Sequence, residues 1–219
     1  GLLRGREFLM FDAYSFHAEE QSLDHVYHQM EQAYERIFER CGLKFREIIA
    51  DVGAMGGNAS KEYMAMAEVG EDTIVYSDQS DYAANLEMAK NLRSEQKVHA
   101  ALGELKKVAT PNTKSVSDVA KLLKVDEKRI IKTLLLFADE KPVLVLLRGT
   151  DELNEVKLTN YLHASELRMA ATQEAEQILG ADFGSLGPVG LKGQAAKLKI
   201  FADLDVKLME NAIVGANQN

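Results

Sequence analysis

Ile130-Ile131-Lys132-Thr133-Leu134-Leu135-Leu136-Phe137 and Pro142-Val143-Leu144-Val145-Leu146-Leu147-Arg148 are two near-continuous apolar runs, joined by Ala138-Asp139-Glu140-Lys141. A strand with one face in water alternates apolar and polar side chains, so runs apolar at almost every position predict strands covered on both faces. Working outward toward the C-terminus, helical patterns recur at Glu155–Leu162 and Thr172–Leu179. The loop Gly184-Ser185-Leu186-Gly187-Pro188 follows, and Lys199–Asp203 reads as a last strand. Toward the N-terminus, Ser115–Leu123 is a short amphipathic helix with Asp118 in its first turn, where a negative charge suits the helix dipole. Before it, Ser94-Glu95-Gln96-Lys97 and Thr110-Pro111-Asn112-Thr113 are polar and turn-forming. That change of texture places a domain boundary near residue 98, giving domains over 1–98 and 99–219.

The first domain has a different rhythm. Glu7 to Phe16 alternates large apolar and polar side chains, as a half-buried strand does. A long helix is predicted over Ser22–Arg40, with Val26, Met30, Ala33, Ile37 and Phe38 on one stripe and Gly42 placed to end it. Phe45–Val52 reads as a strand, Gly53–Ser60 as a glycine-rich turn, Glu62–Ala67 as a return to the sheet and Thr73–Ser77 as a further short strand. Asp81 can N-cap a helix over Tyr82–Leu92. Interleaved strands and helices make the fold class α/β (α+β), in two domains.

Composition narrows the function less than the order of segments does. With 46% hydrophobic and 27% charged residues, the 219-residue chain is an ordinary soluble globular sequence. A net charge of −8 and a pI near 5.2 argue against a nucleic-acid coat protein, although a local basic patch can still bind RNA. A single cysteine, Cys41, cannot form an internal disulfide, which fits a reducing cytoplasm. No apolar run approaches the ~20 residues that span a bilayer. Phosphate-binding glycine loops, zinc-protease helices and the nucleophile elbow are absent from the sequence. His25 and His28, three apart on a charged helix face, lack a third ligand at suitable spacing and read as surface residues rather than a metal site. Ser185 has no sequence-evident base, so a nucleophilic serine is not expected.

The specific signal is Arg4-Gly5-Arg6-Glu7-Phe8-Leu9-Met10-Phe11-Asp12-Ala13-Tyr14-Ser15-Phe16-His17. It resembles the second strand of motif 2 in bacterial-type prolyl-tRNA synthetases, members of the class II family. Gly56-Gly57-Asn58-Ala59-Ser60 resembles that family's Gly-Gly segment beside the amino-acid pocket. Asp78-Gln79-Ser80-Asp81-Tyr82-Ala83-Ala84-Asn85 resembles the stretch preceding its editing insertion. The second half is similar to the insertion itself, through Lys132-Thr133-Leu134-Leu135, Arg148-Gly149 with Glu152–Lys157, and the G-x-x-x-P loop Gly184–Pro188. The resemblance covers essentially the whole chain. It implies part of a class II antiparallel sheet with helices, followed by an inserted mixed α/β editing domain.

By that resemblance, Phe8 would stack on the adenine of ATP and Arg4 would grip its phosphates during adenylate formation, with Mg2+ expected in the longer enzyme. Asp12, Met10 and Tyr14 share a strand face by the period of two. The carboxylate there would hold the proline ammonium and the other two would wall its ring. Gly56 and Gly57 would let the backbone approach the amino acid. Arg4 and Asp12 are thus the candidate catalytic residues. In the editing half, Lys132 would hold the terminal phosphate or ribose of tRNA and Asp203 the alanine ammonium. The Gly184–Pro188 loop would orient the ester carbonyl through its N–H groups. Neither a metal nor a covalent nucleophile is implied. Without the resemblance, Phe8 and Met10 read as core, Arg4 and Lys132 as surface or strand-edge charges, and Asp203 as a strand-end turn residue.

The implied activity is ATP-dependent charging of tRNA(Pro) with proline by a cytoplasmic homodimer, plus hydrolysis of alanyl-tRNA(Pro). Alternatives are a stand-alone trans-editing hydrolase and a non-catalytic paralogue. Phe11 stands where a Lys is expected, and Lys61 and Tyr63 where a His and a Phe are common. Against the family pattern the span lacks motif 1, the first strand of motif 2, motif 3, the anticodon-binding domain and a His-containing editing segment. The 219 residues alone are therefore expected neither to charge nor to edit tRNA efficiently.

Overall fold

The computed structural model describes residues 5–53, 57, 59–91, 101 and 103–218, and the chain divides into two compact units, 1–89 and 90–219. The boundary expected near residue 98 lies outside the described residues.

In the first unit, helix α1 (Glu20–Arg40) precedes a four-stranded sheet of β1 (Phe45–Ala50), β2 (Ser60–Ala65), β3 (Ile74–Tyr76) and β4 (Ala83–Asn85), in the order β2-β1-β4-β3. The β1–β2 and β3–β4 pairs are antiparallel, but β1 and β4 run parallel through Ile49 and Ala84, so this sheet is mixed rather than purely antiparallel. Two expectations fail here. The helix predicted over Tyr82–Leu92 is replaced by β4, because the backbone of Ala83–Asn85 pairs with β3 and, at Ala84, with β1, and Ala83 and Ala84 are buried there. Tertiary packing overrides the local helical pattern. The strand predicted over Glu7–Phe16 does not form: the alternation is present in the sequence, but among the described residues no strand of the sheet pairs with it. Strands need hydrogen-bonded neighbours, and without one the amphipathic pattern has no face to bury.

Helix α1 is fastened to the β1–β2 hairpin by rings and charges. Tyr34 and Phe38 of α1 lie against Phe45 and Tyr63, with ring centroids 5.5–5.6 Å apart for Tyr34–Tyr63, Phe38–Phe45 and Phe38–Tyr63. Lys61 Nζ sits 2.6 Å from Glu31 Oε1 and 2.5 Å from Glu47 Oε1. The Tyr63 hydroxyl donates to Glu47 Oε2 at 2.9 Å. Burial disfavours the charged ammonium of Lys61, but its hydrogen bonds to the two carboxylates outweigh that and hold its pKa well above the usual lysine range. Burial also raises the carboxyl of Glu31, yet the bonds from Lys61 and His28 leave it below its ordinary value. Lys61 and Tyr63, departures from the family pattern, are thus parts of one fastening.

The second unit is built on the two apolar runs. A helix α2 (Val116–Leu123), N-capped by the Ser115 hydroxyl accepting from Asp118 N–H, leads to strands β5 (Ile130–Ala138) and β6 (Lys141–Arg148), an antiparallel hairpin. Its two turn residues, Asp139 and Glu140, have φ of +45° and +62°, the left-handed pair that a two-residue hairpin turn needs. Asp139 is held there by accepting the N–H groups of Ser165 and Glu166 at 2.8 and 3.1 Å. Helix α3 (Glu155–Leu162), β7 (Leu167–Met169), α4 (Thr172–Leu179), β8 (Lys199–Ala202), α5 (Leu204–Lys207) and β9 (Ile213–Val214) complete the sheet, ordered β7-β5-β6-β8 with β9 parallel to the start of β5. One face carries Leu136, Val143, Val145 and Leu147 under Leu158 and Leu162 of α3. The other carries Leu135, Phe137 and Leu144 under Ala175 and Leu179 of α4. Both faces are covered, which is why the runs are apolar throughout. Across the described residues, no helix is long and apolar enough to cross a membrane.

Candidate functional site

Alternation along β5 puts Lys132 on the face of Leu134 and Leu136, and its register partner is Leu147 of β6. The ammonium is drawn into this apolar surface: the side chain is only 19% exposed. Its ion-pair partner, Glu152 at 3.0 Å, reaches in from the loop after β6 and is itself 90% exposed. A carboxylate so placed adds little stability and can be displaced by another anion. Asp203 follows β8 directly; its N–H donates to Leu146 O at 3.0 Å, and its Oδ1 accepts Asp205 N–H at 2.8 Å as the N-cap of α5. Because Lys132 pairs with Leu147 while Leu146 pairs with Ala202, Lys132 and Asp203 stand in one row across three strands, about 10 Å apart at the usual strand spacing.

Arg148 ends β6 in the same region and fixes its surroundings. It donates to both oxygens of Asp151 at 3.0–3.2 Å and lies 3.2 Å from Asp205 Oδ2. These bonds, that to Asp151 foremost, hold its pKa above the ordinary arginine value. Gly149, next along, has no room for a side chain: a Cβ would lie 2.7 Å from Glu127 O. The residue after Lys132, Thr133, points to the opposite sheet face, and its buried hydroxyl has no hydrogen-bond partner among the described residues. Such a group costs about 1–3 kcal/mol unless a ligand or water meets it.

The Gly184–Pro188 loop lies on that opposite face, anchored by Leu186 in the cluster of Leu135 and Leu144. It is gripped from the far end of the chain. Gly187 and Gly215 meet backbone to backbone, so that a Cβ on Gly187 would fall 1.6 Å from Gly215 O and one on Gly215 would fall 2.0 Å from Leu186 O. Asn217 works as a clamp: its Oδ1 accepts Gly187 N–H at 2.9 Å, its Nδ2 donates to Gly187 O and Val189 O, and its own N–H donates to Ser185 O. Ser185 N–H donates to Asp182 O. The expectation that the loop's N–H groups meet a substrate carbonyl therefore narrows to Gly184 and Leu186, since those of Ser185 and Gly187 already have partners and Pro188 has none. Sequence reading missed Gly215 and Asn217; nothing local marks two residues near a chain end as partners of a loop 30 positions away.

The residues nominated in the first unit are not brought together. Phe8, Met10 and Tyr14 are 68%, 72% and 81% exposed, and Asp12 lies on the same unpaired segment. Arg4 and Gly56 lie outside the described residues; Gly57 is described, with φ +123°. His28 engages Glu31 and Gln32 at 3.0 and 3.1 Å. Among the described residues no group of three or more His, Cys, Asp or Glu is gathered to hold a metal ion.

Residues 110–219 match the protein-family model of the aminoacyl-tRNA editing domain. Over all 219 residues the chain is 61% identical to proline--tRNA ligase of Ligilactobacillus salivarius (strain UCC118) and 58% identical to that of Pediococcus pentosaceus, spanning 38% of the length of each. It is 52% identical to the proline--tRNA ligase of Listeria welshimeri, again over 38% of that protein. The solved structure of hypothetical protein APE2540 shares 23% sequence identity, with a TM-score of 0.44 over 48% of this chain and 69% of its own.

Proposed function

Since the chain belongs to the aminoacyl-tRNA editing domain family, we propose that residues 110–219 hydrolyse the ester of alanyl-tRNA(Pro) within a longer proline--tRNA ligase. The observation that carries this reading is the pairing of a withdrawn ammonium, Lys132, with a displaceable and exposed carboxylate, Glu152, at the sheet end that also bears Asp203. A tRNA terminal phosphate or ribose takes the place of Glu152 on Lys132. Asp203, held by the α5 cap, faces the substrate ammonium. Water adds to the ester carbonyl, the bond to the ribose oxygen breaks, and alanine leaves as its carboxylate; one proton of the water goes to the ribose oxygen and the other to solvent. Such a step needs no covalent enzyme intermediate. A second site is required because a pocket shaped for proline rejects the smaller alanine by only about 1–3 kcal/mol per missing methylene.

Deacylation of alanyl-tRNA(Pro) by the intact ligase and its Lys132→Ala variant tests the assignment. Loss of most of kcat in the variant supports it, and equal rates refute it. For the first unit, the reading is that Arg4, Phe8, Met10, Asp12, Tyr14, Gly56 and Gly57 serve proline activation with ATP and Mg2+ in that longer, homodimeric, cytoplasmic enzyme. It rests on the likeness to the ligases, of which this chain spans 38%. The 219-residue chain by itself should show no proline-dependent ATP–pyrophosphate exchange.

A further inference from the structure

At the opposite end of the second sheet, about 20 Å from Lys132 by the length of β6, a cleft of about 490 Å3 opens beside the hairpin turn and edge strand β8. Three exposed lysines converge on it from three segments: Lys141 at the start of β6, Lys197 from a 3₁₀ turn, and Lys199 on β8. None of the three has an ion-pair partner among the described residues, whereas Lys114, Lys132, Arg148 and Arg168 in the same unit each do. The acid in the cleft wall, Asp139, is occupied by the N–H groups of Ser165 and Glu166, and Glu140 beside it faces Arg168 at 3.5 Å. The cleft is therefore locally cationic in a chain of net charge −8. Its floor is apolar, with Phe201 and Leu162, and Tyr161, next to Leu162 in α3, lies edge-on to Phe201 at 6.1 Å and is 70% exposed.

Lysines on an edge strand commonly serve only to block strand pairing. That role accounts for Lys199, but not for the convergence of Lys141 and Lys197 on the same concavity, nor for a large aromatic ring left in water against Phe201 of its floor. Cations that track a phosphodiester backbone and an exposed ring on which a base can stack are together the chemistry of single-stranded RNA binding. We propose that this cleft is a second RNA contact, in which Lys141, Lys197 and Lys199 face phosphates and Tyr161 stacks on an unpaired base. The editing reading is used only to identify the RNA as the acceptor end of a tRNA. The cleft would then hold the strand while its aminoacylated terminus reaches Lys132 at the far end of the sheet.

The test is fluorescence anisotropy of a labelled acceptor-stem minihelix with an unpaired 3′ end, titrated with the 219-residue chain at several salt concentrations. Replacing all three lysines by Gln should weaken binding about tenfold and flatten the salt slope by about 2, the value for three contacts on a single strand. Tyr161→Ala should weaken binding about fivefold on the overhang RNA and leave a blunt-ended duplex unaffected. All four positions are exposed, so thermal unfolding should match the parent and exclude misfolding. A triple variant with the parent's affinity and slope overturns the proposal, as does equal displacement of the RNA by poly-glutamate, which would mean that the cleft reads charge of the wrong class. The intact ligase separates this inference from the editing reading. A triple variant with raised KM and unchanged kcat in deacylation supports both. Minihelix binding through the cleft without any deacylation defect in Lys132→Ala keeps the cleft and removes the editing assignment.

Discussion

The two units use the same kinds of residue with opposite results. In the second, a hairpin apolar on both faces is closed by α3 on one side and α4 on the other, and polar groups distant in sequence fall into one row across its end. In the first, a four-stranded sheet is fastened to α1 by a ring cluster and a lysine between two carboxylates, while the segment carrying Phe8, Met10, Asp12 and Tyr14 has no strand to pair with among the described residues. A candidate site is given its geometry by the hydrogen-bonded neighbours of the strand that bears it, more than by the bearing residues themselves.

The sharpest way to break the contrast is in the second core. Leu135→Ala or Leu144→Ala, at positions with no exposure, should destabilise that unit by about 2–5 kcal/mol in chemical unfolding. An Ile48→Val change in the first unit should cost only about 0.5–1.5 kcal/mol. Next in size is the loop clamp. Asn217→Ala removes a side chain that makes three bonds to loop backbone, one accepted and two donated. It should cost about 1–3 kcal/mol and lower the deacylation rate of the intact ligase without changing β5–β6 pairing, as amide exchange would report. Lys61→Met, which leaves Glu31 and Glu47 facing each other at the surface, should cost about 1 kcal/mol in the first unit, and the Glu31 carboxyl should titrate at higher pH in an NMR titration.

The smallest effects are in pH, and the units differ in the groups that titrate on the alkaline side. In the first, Lys61 and Tyr63 both have folded-state values raised, the tyrosine by burial and its bond to Glu47. Their contribution is complete below the ordinary values, 10.5 for the lysine and 10.0 for the tyrosine, and is lost as pH rises through the higher folded-state values. In the second, Asp182 is lowered by Lys114 and the Phe183 N–H, and Glu174 by Arg168 and the Ala171 N–H. Stability from these carboxylates is present above their unfolded values and is lost as pH falls through their folded ones. Acid titration should therefore loosen both units, the first through Glu31, whereas alkaline titration followed by tyrosine absorbance should loosen the first through Lys61 and Tyr63. The same alkaline response from both would erase the distinction.

Much of the second unit was legible in its sequence. The ends of β5, β6, α3 and α4 fall within a residue of the expected segments because each follows from a local apolar pattern. Helix α1 was legible for the same reason. What local reading could not supply was pairing. Ala83–Asn85 looks helical until β1 and β3 are placed on either side of it, and Glu7–Phe16 looks like a strand until a neighbour is sought. Lys132, Asp203 and the Gly184–Pro188 loop came from resemblance rather than from pattern, and the structure adds that the first two share a sheet row while the loop belongs to the other face. The partners that hold the loop, Gly215 and Asn217, carried no local signal at all.

That clamp imposes an order of assembly on synthesis. Asn217 follows Gly187 by 30 residues, so a ribosome adding about 5–20 residues per second completes the loop before its fastening exists, by about 2–6 s. During that interval the sheet of β5, β6 and β8 can form with its lysine and aspartate in register, yet the loop on the sheet's other face has nothing to lock it. The domain is thus born with its frame set and its mouth open, and it acquires a fixed shape there only when the final strand docks.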